Sequence, residues 1–447
     1  MTSDLAATGG AQAAHQARVS ESPQWLRLRR RAAWDAVSSL AWPSSMRDED
    51  WRRTDISKLR PADFDLDPRA SSAAQATIAT WDDLITKADP AACVVACDGS
   101  GQTVIRAAAD LVGQGIIISS LADACEQHPD LVQLAMQEGS PVAQPLTALW
   151  NALWKGGCFI YVPDGVSAAQ PVWVIQAGGD AGSAAFPATV CVLGQAASLQ
   201  VSEVYASAPD QGPLFCNCMS HLHVGRSAQL DYHVLQVQNQ LTWHMATHTA
   251  SLEADAHLNF FGVTTGSKLQ KSYWEALLLG QGAEAQIGGV ALGSARQHLD
   301  HQSLQAHRAP DTQSRFSLKV AVAGQSRSVY SGLIDVDHDA VRTDAYVQNR
   351  NLILGHGAKA DSIPRLEIRC HDVRCGHGAT AGHIDEDQRF YLTSRGIPGS
   401  EADRLIVRGF FDDALQSLRS PAFAQVANAV LDGRLDEISL DELSVER

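Results

Sequence analysis

The densest run of ligand-type side chains is Cys370-His371-Asp372-Val373-Arg374-Cys375-Gly376-His377, followed by His383. Thiolate and imidazole suit iron and zinc, and iron–sulfur clusters are held chiefly by cysteine. On an unbroken strand, alternate side chains share a face, so His371, Cys375 and His377 would point one way and Cys370 the other. No complete four-ligand pocket is written there. A second run, Cys216-Asn217-Cys218-Met219-Ser220-His221-Leu222-His223, has the composition of a metal motif. Its two cysteines fall on one strand face and its two histidines on the other, so one tetrahedral ion cannot collect all four. This run reads as structural.

Enzymatic signatures are missing. GVTTGSK at 262–268 has its glycine and lysine in the wrong register for a phosphate loop, and neither a GxSxG elbow nor an HExxH pair occurs. The scattered acids and histidines read as solvated surface or turn residues. With 35 Lys+Arg against 50 Asp+Glu the net charge is −15, which repels a nucleic-acid backbone or an anionic membrane, so neither is an expected partner. No run of about 18 apolar residues could span a bilayer, and MTSDLAATGGAQAA lacks the basic and apolar regions of a leader. A cytoplasmic protein is expected. Its nine cysteines are then thiols, most of them small buried hydrophobes.

The elements that position these residues can be read along the chain. At roughly 150 residues per domain, 447 residues allow about three units. Residues 1–21 lack periodicity and read as a flexible tail. Ser22-Pro23 opens a helix carrying Trp25, Leu28, Ala32, Ala36 and Leu40 on one face, and Trp42-Pro43 ends it. DEDWRRTDISKLRP then reads as a surface connection. Residues 22–145 form a helical, mixed α/β amino-terminal domain. Over 146–395 short β-prone segments alternate with similar turns: LGQAASL, VGRSAQL, LEADAHL, LGQGAEA and LGHGAKA. Ala197, Ala228, Ala256 and Ala283 predict a β-solenoid whose coils bury their apolar faces on one another, with a β-sandwich as the alternative. Flanking segments would cap its ends. Residues 396–447 return to helix, opened by Ser400 with Asp403 three residues on and striped by Ala402, Leu405, Ile406, Phe410, Ala414 and Leu418, with Phe411 widening the stripe. A second helix starts at Pro421, and DEISLDELSVER reads as a frayed tail.

The segments SRSVYSGLIDV, NRNLILGHGAKADSIPRLEI, HDVRCGHGATAG and FYLTSRGIPGSEADRLIVRGF resemble the SufB/SufD family of iron–sulfur cluster assembly proteins, and a weaker likeness reaches LTALWNALWKGGCFIYVPDGV and WRRTDISKL. The resemblance implies a mainly β fold, a right-handed parallel β-helix flanked by an amino-terminal domain and carboxy-terminal helices. CGHGAT looks like the SufD form; the SufB form carries glutamate where Gly376 or Gly378 lies, and a cysteine where Asn349 stands. Cys370-His371 departs from the SufD pattern and adds two possible ligands.

What the resemblance implies is a scaffold subunit, not an enzyme, that pairs with a SufB-like subunit and a SufC-like ATPase. A transient iron–sulfur cluster would be shared at the partner interface through His377 and Cys375, with no nucleotide bound by this chain. Leu405, Ile406, Phe410 and Phe411 are the expected ATPase-docking residues, their stripe being broader than one cap contact requires. The alternatives are a SufB-like or homodimeric scaffold and, less favoured, a β-helix polysaccharide hydrolase or lyase.

Overall fold

The computed structural model describes residues 9–137 and 144–438. Among them, two sheets stack strand on strand into a parallel β-solenoid, with consecutive strands alternating between the sheets from Ala188–Leu193 to Val373–His383. Each coil thus contributes one strand to each sheet.

The repeated alanines are explained by the corners. Ala196, Ser227, Asp255 and Gly282 take a left-handed backbone, and each is followed by a buried alanine, Ala197, Ala228, Ala256 or Ala283. A larger side chain at those alanines would collide with the coils above and below. The corner backbones bond to one another along the stack: Ala196 N–H donates to Arg226 O at 2.8 Å, and Ser227 N–H to Ala254 O at 2.9 Å. LGHGAKA lies elsewhere. Its left-handed residue, Gly355, belongs to the opposite corner, with Ala295 and Gly324. The sequence comparison therefore merged two turn rows that share a geometry.

Inside the solenoid, aromatic rings climb from coil to coil. Tyr232 stacks on Phe260 at 6.0 Å, Phe260 meets Trp274 at 5.1 Å, and Phe316 stacks on Tyr330 at 5.0 Å. The outer faces are buried too, and this is where several expectations change. Residues 9–21 are not a tail: Gly9–Glu21 is a helix with Ala11 and Ala14 buried, and the imidazole of His15 stacks on Trp34 at 4.6 Å. Buried Ala11, Ala14, His15 and Arg18 at helical spacing suffice when a neighbouring surface exists. Residues 1–8 lie outside the described residues. The following helix, Gln24–Ser39, is anchored by Arg30, which is buried, donates to Trp154 O at 2.9 Å and lies 4.3 Å over the Trp154 ring.

The WRRTDISKL segment is a packed strap rather than a surface connection, since Trp51, Thr54, Ile56 and Leu59 are buried. Strand Cys93–Cys97 pairs in parallel with Val172–Ala177, so residues before 146 already belong to a solenoid sheet. The carboxy-terminal helices cover the side of that sheet instead of its end. Phe411, Phe423, Val426 and Leu431 pack on Val204, Leu235, Val263 and Leu292, which come from successive coils. Helix begins at Glu386–Ser394, before residue 396, and Gly399–Leu415 has Pro398 at its cap position, so Ser400 does not cap it. Pro398 is extended there, with ψ 143°, and no side chain caps the helix. The last helix, Pro421–Glu437, extends into the DEISLDELSVER segment, with Ile438 buried beyond it; residues 439–447 lie outside the described residues.

The two ends of the solenoid differ. At the start, the sheets are edged by short antiparallel strands, Thr103–Arg106 and Ile117–Ser120. At the finish they end in the long strands Lys359–Ile368 and Val373–His383, and no further strand pairs with either among the described residues.

Candidate functional site

The cysteine and histidine run lies on this last coil. Cys375 pairs with Ala345 and His377 with Val347, and both of those residues are buried in the solenoid interior. Because opposed residues in a register share a face, Cys375 and His377 point toward the mouth of the solenoid, as strand parity predicted. Cys375 is half-buried against the end of the core, whereas His377 is exposed because no further coil among the described residues covers it. Burial pushes the Cys375 thiol up, with lesser opposing help from its bond to Ala345, so this thiol is not activated by its own surroundings. Cys370 is half-buried and His371 exposed, both before the strand begins. His383 closes the strand with Nδ1 3.1 Å from Ile353 O.

The glycines of CGHGAT face Tyr346 on the other side of the strand. A Cβ on Gly378 would stand 2.9 Å from Tyr346 Oη, and one on Gly376 would stand 3.4 Å from the ring. Tyr346 therefore lies over two residues that have no side chain to displace it. One coil below the mouth, Asn349 is buried and donates to Leu318 O at 3.2 Å, while Asn351 donates to Asn349 Oδ1 at 2.7 Å.

Cys370, His371, Cys375, His377 and His383 do not converge on a metal-binding set. Among the described residues, the one group of three or more Cys, His, Asp or Glu ligands within mutual reach is Cys216, Cys218 and His244. Cys216 and Cys218 face the interior and His221 faces outward against Trp150, 5.6 Å between rings, so the division of that run between two faces holds. His244 joins from the next coil, where it pairs with Cys216 in register. A search within one strand cannot find it; the coil period of 28 residues, seen between Ala228 and Ala256, leads from Cys216 to His244. The neighbouring Cys218, with His244 helping, lowers the Cys216 thiol, and burial raises that of Cys218.

The acids and histidines expected at the surface are in several cases deeply buried. Glu203 accepts hydrogen bonds from Gln176 at 3.0 Å, Thr189 at 2.6 Å and Tyr232 at 2.5 Å inside the solenoid. Lys271 and Asp300, both buried, form a 2.6 Å ion pair on the outer face under Trp51. A solenoid strand buried on both faces has no solvent side to give them.

The expected docking residues divide. Phe411 is fully buried on the sheet and unavailable to a partner in this arrangement; Ile406 and Phe410 are half-buried, and Leu405 is 44% exposed. Phe390 and Tyr391, which sequence reasoning did not single out, are 72% and 58% exposed on Glu386–Ser394, a helix with no buried residue. Arg389 ties that helix to Gly399–Leu415 through a two-point bond to Asp403, 2.8 and 3.2 Å.

Fold and site together define a β-solenoid scaffold with ligand-type side chains at an open end. The chain belongs to the SufBD family of SUF-system iron–sulfur cluster assembly proteins: residues 174–410 match the SufBD core domain and residues 12–174 the SufBD amino-terminal region. It is 34% identical over 203 residues to a SufBD family protein of Mycobacterium tuberculosis, covering 44% of this chain and 51% of the relative. To Escherichia coli SufD it is 31% identical over 243 residues, 54% of this chain and 57% of that protein. Bacillus subtilis SufB is 26% identical over 310 residues, 69% of this chain and 67% of the relative. The chain thus spans about half the length of the first two relatives in its match.

Proposed function

We propose that this chain acts as the SufD-type subunit of a SUF scaffold, pairing with a SufB-like subunit and a SufC-like ATPase, and that a nascent iron–sulfur cluster is its cargo. The uncovered last coil carries this reading. It presents two long strands whose outer edges pair with no other strand among the described residues, a built-in template for another chain, beside a thiol and an imidazole too few to hold a cluster alone. A partner pairing along these edges would bring its own ligands to Cys375 and His377.

Two features favour a SufD-type over a SufB-type role. Asn349, at the position where the resemblance puts a SufB cysteine, is committed to hydrogen bonds in the interior. A glutamate at Gly378 would meet the hydroxyl of Tyr346. Sulfur acceptance then falls to the partner, and ATP turnover to the ATPase, since this chain carries no phosphate loop. Phe390, Tyr391 and Leu405 form the surface proposed for ATPase docking. The working compartment is the cytoplasm; no described helix is long and apolar enough to cross a membrane.

Co-expression with a SufB-like chain and its ATPase tests the reading. A three-component complex should be recovered, and anaerobic reconstitution should load a cluster on the complex and not on this chain alone. His377→Ala is expected to leave the complex intact and to reduce cluster formation. A stoichiometric cluster on the isolated chain, or normal cluster assembly with His377→Ala, overturns the site; a homodimer active without either partner overturns the subunit role.

A further inference from the structure

The middle of the solenoid holds a second set of ligand-type side chains, remote from the open coil. We propose that Cys216, Cys218 and His244 bind one thiophilic divalent ion, zinc or ferrous iron, inside the solenoid. The two sulfurs and the imidazole nitrogen lie within 4.8 Å of one another, and all three residues are at least 97% buried. Cys216 and Cys218 are two residues apart on one strand and so share a face; His244 sits opposite Cys216 on the next coil. Around a tetrahedral zinc ion with bonds of about 2.3 Å to sulfur and about 2.0 Å to nitrogen, a sulfur and a nitrogen ligand stand roughly 3.5 Å apart. Cys218 Sγ and His244 Nε2 are 3.9 Å apart, so this pair needs to close by only a few tenths of an ångström, and no ligand atom has to travel from beyond 4.8 Å.

The imidazole is already turned for the task. His244 Nδ1 is 2.8 Å from Gln238 Oε1, and the same oxygen accepts from Gln236 Nε2 at 3.4 Å. An oxygen receiving both bonds obliges Nδ1 to be the donor. The lone pair of Nε2 is then left facing the sulfurs, and a partner on the far nitrogen is the usual support of a metal-binding histidine. Cys218 Sγ lies 3.3 Å from Met245 O, the thiol's resting partner, and its proton would leave with that of Cys216 on binding. Two thiolates, a neutral imidazole and a divalent ion sum to zero charge, which an apolar interior tolerates far better than a bare ion. Thiolate and imidazole select zinc or iron over magnesium or calcium.

The test uses the full chain alone, free of affinity tag and purified without oxygen, so its outcome is independent of the partners invoked above. Zinc and iron contents decide between the two ions, and cobalt loading reports the ligands by absorption. One equivalent of zinc or iron is expected, with a sulfur-to-cobalt charge-transfer band after exchange. Cys218→Ser should abolish the band, Gln238→Leu should weaken affinity roughly 10- to 100-fold, and Cys191→Ser, a buried cysteine outside the group, should retain both metal and band. If the wild-type chain neither carries metal nor shows the cobalt band, the proposal fails whatever the variants do. It fails equally if Cys218→Ser keeps the wild-type metal content and band. Should Cys218→Ser not fold, the Gln238→Leu affinity decides, an unchanged value overturning the proposed coordination.

Discussion

Lys271 and Asp300 show how much a single buried pair can carry in this molecule. The ammonium donates to Asp300 at 2.6 Å and to Asp50 O at 2.9 Å, and it lies 4.7 Å from the centre of the Trp51 ring. Burial pushes the Asp300 carboxyl up, but Lys271, with His298 and Thr54, outweighs it and holds the group below the usual carboxylate range. The pair fastens the strap around Trp51 to the solenoid. Asp300→Asn leaves the ammonium buried without its counter-charge and is expected to cost about 3–5 kcal/mol. Replacing both partners with apolar residues should cost much less. Urea unfolding of the two variants beside the wild type checks this; equal losses in the single and double variants would show that packing, not charge, holds the strap.

At the scale of elements, the carboxy-terminal helices combine a buried contact with an exposed one. Phe411 and Val407 face the sheet, whereas Phe390, Tyr391 and Leu405 face solvent on the two helices joined by Arg389 and Asp403. Phe411→Ala should therefore lower stability by about 3–5 kcal/mol. Phe390→Ala should leave stability within about 0.5 kcal/mol and weaken capture of the ATPase. Measuring melting beside co-purification separates the two. Unchanged ATPase capture by a Phe390→Ala, Tyr391→Ala, Leu405→Ala chain would remove this surface from the proposal.

The whole molecule is a stack in which both faces of most strands are covered, and its response to pH follows. Burial drives the histidines down: His221 and His248 to about 3, and His233, His301 and His307 to about 4. In the unfolded chain each would titrate near 6.5. Folding keeps them neutral, so their effect on stability is absent above about pH 6.5, and stability falls as pH drops from there toward 4. The slope is about 1.4 kcal/mol per histidine per pH unit in that window. Urea midpoints should accordingly fall between pH 7 and pH 5, above the range where ordinary carboxylates titrate. A flat profile over that interval would mean that these imidazoles are protonated in place.

Sequence alone determined the solenoid, because a coil corner imposes a local demand: a left-handed residue followed by one small enough to be buried, repeated at Ala197, Ala228, Ala256 and Ala283. It also determined that Cys375 and His377 share a strand face, since alternation is a property of one strand. What covers each strand is not local. Whether Phe411 is buried or exposed, whether residues 9–21 find a surface, and whether His301 meets water depend on segments far away in the chain. The grouping of Cys216 and Cys218 with His244 is of the same kind, for it exists only once neighbouring coils settle into register and bring residues 28 positions apart face to face.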